Sequence, residues 1–170
     1  SQFWGPDVLD KNHYLAKGKK LSFFVFYPDA SASFDFMAID SDGRIYEADT
    51  VQVFDGKEKT VTINDRNLTN RTVDKMPMTE VIVTNTTDSS LDFAFFAPAD
   101  SKIWGLEVLN SSRTLRSGEE VSFLVLLAGE NFDMEFMALG EDGREYQRTI
   151  TIGTTQQTLG LSVGPKNLVK

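Results

Sequence analysis

Residues 21–27 read Leu-Ser-Phe-Phe-Val-Phe-Tyr, which puts Leu21, Phe23, Val25 and Tyr27 on one face of an extended strand. Val121, Phe123, Val125 and Leu127 repeat that alternation. Phe24 and Phe26, like Leu124 and Leu126, make the opposite face apolar too, so both segments are expected to be central strands covered on two sides. A second pair of strands, Phe34 to Asp40 and Met134 to Leu139, runs into Asp42-Gly43 and Asp142-Gly143, and third strands follow from Arg44 and Arg144. Asp-Gly between such runs predicts a β-hairpin in each place.

These pairs are related by one shift of 100 residues without a gap. The shift superimposes Trp4-Gly5 on Trp104-Gly105, Val8-Leu9 on Val108-Leu109, Gly18 on Gly118, Phe36-Met37-Ala38 on Phe136-Met137-Ala138, and Tyr46 on Tyr146. Between 4–50 and 104–150, 16 of 47 positions are identical. Unrelated segments of average composition would share about three. The chain is a duplication.

Short strands at this spacing, with turn signals and no amphipathic helix, predict an all-β protein of two tandem antiparallel β-sandwich domains with Ig-like, Greek-key character. A small barrel is the alternative. The first copy is placed at 1–64, a linker at 65–78 and the second copy at 79–170. Two further strands, Glu80 to Thr84 and Leu91 to Ala97, precede the second copy and have no counterpart before the first. The first copy is therefore expected to be two strands short and to expose an open edge. The missing strands are expected from residues upstream of Ser1 or from a partner.

Composition narrows the function classes. The net charge of −8 opposes a nucleic-acid partner, which needs a basic surface. Without cysteine there is no disulfide, thiolate metal site or Cys nucleophile. No apolar run is long enough for a transmembrane helix. Thirteen Phe imply a core carried by aromatic packing.

The segment Val83-Thr84-Asn85-Thr86, Phe95-Phe96-Ala97-Pro98, Ser101, Trp104-Gly105, Val108-Leu109, Leu115 and Gly118 resembles small β-sandwich domains of uncharacterised exported bacterial proteins. Ala97-Pro98 stands where that pattern has Ser-Pro. The resemblance spans about 79 to 150 and implies export, hence a periplasmic, cell-surface or secreted location, with a binding or structural role. It brings no catalytic residues.

Candidate chemistry is sparse. His13, the only histidine, corresponds to Arg113 in the second copy and reads as a surface loop residue. Asp40, Asp42 and Gly43 suggest the start of a calcium loop, but Gly140 replaces Asp40 in the second copy and no downstream bidentate Glu follows, so a hairpin turn is expected instead. Of the sequons at Asn67, Asn70, Asn85 and Asn110, Asn85 better fits a turn bonded to its own backbone. No catalytic, cofactor-binding or metal residue is assigned, and no cofactor is expected. Trp4 and Trp104, with Tyr46 and Tyr146, are the candidates for ligand or partner contact, although packing between sheets also accounts for them. The expected function is a non-enzymatic interaction or structural module, joined to a protein partner or to itself through open strand edges. The alternative is a lectin-like module binding a glycan or small ligand. An enzyme built on acidic residues ranks third.

Overall fold

The structure is a computed structural model and describes residues 3–9, 14–27, 29–73, 78–101, 104–109, 114–127, 131–153 and 158–169. His13, Pro77 and Asn110 lie outside the described residues, as do residues 10–12 and 111–113. The protein is all-β. In chain order its strands are β1 (Phe3–Pro6), β2 (Val25–Phe26), β3 (Ser31–Ile39), β4 (Arg44–Phe54), β5 (Leu68–Thr72) and β6 (Met78–Asn85). There follow β7 (Leu91–Pro98), β8 (Gly105–Leu106), β9 (Glu120–Leu127), β10 (Phe132–Gly140), β11 (Glu145–Ile152) and β12 (Thr158–Val163).

Two compact units emerge, one of residues 1–26 with 77–170 and one of residues 27–76. The first 26 residues thus group with the second copy. Residues 65–78, expected as a linker, instead contribute a 3-10 turn at Asp65–Asn67 and the strand β5, which pairs antiparallel with β4. The polar sequence of β5 is compatible with this because one ladder partner suffices for an edge strand whose outer face meets water.

The larger unit has an open sheet ordered β1-β9-β6-β12 and another ordered β11-β10-β7, with β2 and β8 forming a short pair. Neither sheet closes into a barrel. Inward residues of both sheets meet in one core containing Val81, Val83, Phe96, Phe123, Phe136, Tyr146 and Leu161. Phe96 and Phe123 make an edge-to-face contact across it, with ring centroids 5.3 Å apart. Pairing is antiparallel except for β6 with β12, which run parallel. The strand β9 lies inside its sheet, as its two apolar faces predict.

The smaller unit is a single antiparallel sheet ordered β3-β4-β5. Both predicted hairpins form: Ile39 opposes Ile45, and Leu139 opposes Glu145. Each loop is closed by the glycine N–H, donated to the carbonyl of Asp40 or Gly140 at 2.9 Å. Only the glycine takes positive φ, 76° at Gly43 and 78° at Gly143. That is the three-residue loop with a bulged glycine, not a turn with two left-handed residues.

The register of β3 on β4 departs from that of β10 on β11 at one internal point. Phe34 opposes Val51 and Phe36 opposes Ala48, so β4 carries an extra residue there. Thr50 absorbs it at φ 56°, and its N–H donates to Asp35 Oδ1 at 2.7 Å. A β-branched residue is strained in that region by about 1–2 kcal/mol, partly offset in glycine by a freer unfolded chain. Thr50→Gly is therefore expected to stabilise the sheet by about 0.5–1 kcal/mol in urea unfolding, whereas Asp35→Ala destabilises it.

Candidate interaction surface

The 100-residue shift carries the larger unit's topology onto the first copy. In the second copy β6 sits between β9 and β12, and β7 lies along the edge of β10. The segments matching β9 and β12 are residues 20–27 and 58–63. Only Val25–Phe26 of the former is a strand, paired with β8, and residues 58–63 form none. The expectation of a central, two-sided strand at 21–27 therefore fails: Phe24 is 63% exposed. In the second copy these segments are joined through β6, and the first copy has no equivalent of it among the described residues.

Burial follows the same division. Met134, Phe136, Ala138 and Tyr146 are buried. Their counterparts Phe34, Phe36, Ala38 and Tyr46 are each half-buried. Val163 is buried, and its counterpart Ile63 is 37% exposed. In the smaller unit only Ile45 and Val53 are buried apolar residues among those described. One edge of β3 pairs with β4, and the other carries no strand among the described residues.

The hairpin end of this sheet is firmly held. Asp40 Oδ1 accepts the N–H groups of Asp42 and Arg44, at 2.9 and 3.0 Å. Its Oδ2 accepts Arg44 Nε at 2.7 Å and the Tyr46 hydroxyl at 3.1 Å. Desolvation raises the carboxyl pKa, but the hydrogen bonds from Arg44, Asp42 and Tyr46 prevail and leave it below its ordinary value. Asp40 thus braces the turn. Arg44 also reaches Asp42 at 3.1 Å; in the second copy, where Gly140 replaces Asp40, Arg144 keeps the equivalent contact to Asp142 at 3.3 Å and reaches Asp88 at 3.5 Å. On β4, the Glu47 carboxylate forms an ion pair with Arg71 of β5.

The aromatic candidates differ in their surroundings. Tyr146 is in the core and Tyr46 is tied to Asp40. Trp104 is half-buried just before β8, and Trp4 lies in β1, with its side chain outside the described residues. Asn85 is fully buried, and its Oδ1 accepts the Thr87 N–H at 2.9 Å, which is the local turn read from the sequence. Asn67 ends the 3-10 turn that precedes β5, and Asn70 lies within β5.

Sequence reasoning missed Glu107. It is 6% exposed, and its Oε1 accepts the N–H groups of Ala94 at 3.2 Å and Leu109 at 2.8 Å. Asp7, its counterpart, likewise accepts the Leu9 N–H at 2.9 Å. An identity search passes over this Asp-to-Glu pair, although Val8-Leu9 and Val108-Leu109 mark its place. Desolvation raises the Glu107 pKa above its ordinary 4.5, partly opposed by the Leu109 and Ala94 hydrogen bonds. A raised pKa means that the fold favours the neutral acid. This stabilisation is fully present below pH 4.5 and is lost as pH rises through the raised value. Glu107→Gln keeps an acceptor without the charge, so it should flatten that pH dependence in urea titrations and exceed the parent's stability at neutral pH. Glu107→Ala, which strands two N–H groups, should cost about 2 kcal/mol or more.

No helix among the described residues is long and apolar enough to cross a membrane. The sequence matches no protein-family model and no curated protein.

Proposed function

We propose that this chain is a non-enzymatic interaction module, working outside the cytoplasm, that associates with a protein chain through the open edge of β3. The observation that carries this reading is the contrast between β10, flanked by β11 and β7, and β3, flanked by β4 alone among the described residues. A strand edge with unpaired N–H and C=O groups is a template for another strand. The half-buried apolar residues beside it add surface that association would remove from water. Export is supported by the sequence resemblance alone. The lectin-like alternative draws less support, because Tyr146, one of the four aromatic residues on which it would rest, is buried.

Light scattering across a concentration series tests the reading. Self-association should give a mass that climbs above the 19.0 kDa of one chain. A mass fixed at 19.0 kDa at every concentration would contradict self-association through this edge.

A further inference from the structure

We infer that the two copies of the repeat recognise each other by reciprocal strand exchange: the short strand at each Trp-Gly pairs with the apolar strand of the other copy, as in a symmetric dimer closed within one chain.

Strand β1 of the first copy lies on β9 of the second, with Pro6 opposite Val125. Strand β8 of the second copy lies on β2 of the first, with Leu106 opposite Val25. The shift of 100 residues turns one pair into the other. The hydrogen bonds obey the same relation: the Asp7 N–H donates to the Leu124 carbonyl at 2.8 Å, and the Glu107 N–H donates to the Phe24 carbonyl at 3.2 Å. In a two-fold contact, what one protomer gives to its partner it also receives. The ladder pairs and the hydrogen bonds both meet that condition, and β1 and β8 approach each other, as donors beside a two-fold axis do. All four strands belong to the larger unit, so β3 has no part in the exchange.

Local chemistry suits the donors. Because Asp7 bonds toward β9, Pro6 directs its nitrogen away from that strand, on the outer edge of the sheet, where a missing N–H costs no ladder bond. Pro6 and Val125 are buried, and Val25 and Leu106 are half-buried, so each pairing removes apolar surface from water. The correspondence ends at the glycines: Gly105 takes φ 67° and Gly5 does not, while β1 is irregular between Phe3 and Pro6. The recognition element is therefore the short segment after each glycine, and the surface it fits is the apolar strand of another copy of this repeat. Joining the copies in one chain makes that association intramolecular and raises the effective concentration.

The test uses the full chain with a protease site inserted among residues 74–77, between β5 and β6, so that one cut parts the copies covalently. The cut chain should keep the mass of the uncut chain in native light scattering. Added cysteines report the pairing without background, because the chain has none of its own. Pro6→Cys with Val125→Cys, and Val25→Cys with Leu106→Cys, should each hold the halves as one band on denaturing gels until reduced. Such antiparallel pairs, not hydrogen-bonded to each other, lie about 4.5 Å apart, within disulfide reach. Halves that part after cutting, or closure of only one of the two cross-copy pairs, would overturn the inference. So would a disulfide between Leu106→Cys and Val125→Cys, which lie in the same copy. If a cysteine variant fails to fold, the unsubstituted chain decides: Hα–Hα Overhauser contacts are expected between Pro6 and Val125 and between Val25 and Leu106, and the absence of either contradicts the exchange.

Discussion

Phe136→Ala should lower the unfolding free energy by about 3–5 kcal/mol, whereas Phe36→Ala, the same substitution at the equivalent position of the first copy, should cost no more than about half as much. Phe136 is completely buried between two sheets, so truncation loses its transfer free energy and leaves a cavity that close-packed neighbours cannot refill. Phe36 is half-buried on the same face of its own sheet, where less apolar surface is removed from water. Denaturant unfolding of both variants against the parent checks the pair. Equal losses would mean that the first copy encloses its sheet as fully as the second.

Asn85→Ala should cost about 3–4 kcal/mol, a large effect for one polar side chain. Asn85 uses its whole hydrogen-bonding capacity in a buried place. Its Nδ2 donates to the carbonyls of Ser89 and Leu115, both at 2.9 Å. Its Oδ1 accepts the Thr87 N–H at 2.9 Å and the Thr87 hydroxyl at 2.8 Å. Alanine strands the buried Thr87 N–H, at about 1–3 kcal/mol, and removes three further buried hydrogen bonds whose partners keep only their bonds to Leu91 or to each other. Asn85→Asp keeps the acceptors but loses both donors and buries a carboxylate, so it should be at least as damaging. Urea titration at neutral pH measures both. A loss below about 1 kcal/mol would show that the turn survives without this side chain.

The hairpins were legible because Asp42-Gly43 and Asp142-Gly143 are local signals, decided within a few residues. The strand β9 was legible for a related reason: alternation and two apolar faces are local properties. The segment Leu21 to Tyr27 has the same pattern yet forms only the two-residue strand β2. Strand formation is completed by a ladder partner, and that partner is not written into the segment itself. Residues 65–72 were misread because polar residues flanking Asn and Asp resemble a loop. Asn67 Nδ2 donates to the Glu47 carbonyl at 2.8 Å, and its Oδ1 accepts the Asn64 N–H at 3.0 Å, which anchors the turn that leads into β5. The second copy repeats this turn, with Asn167 Oδ1 accepting the Gly164 N–H at 3.1 Å. The shared Asn-Leu at 67–68 and 167–168 was the available signal, too short to register as an identity run.

Counting strands before each copy led to the expectation of an open edge, and among the described residues β3 pairs with β4 alone. Its position on β3 was not legible, because the sequence does not say which neighbour of β10 precedes the repeat in space. The pairing of β10 with β7 decides that.

Residue-resolved amide exchange on the full chain, at concentrations where it is monomeric, tests the asymmetry between the copies most directly. The account expects amides throughout Phe132–Gly140 to exchange slowly, near the rate set by unfolding of the larger unit. Within Ser31–Ile39, those not bonded to β4 should exchange at least ~100-fold faster. Uniformly slow exchange across Ser31–Ile39 in the free monomer would contradict it.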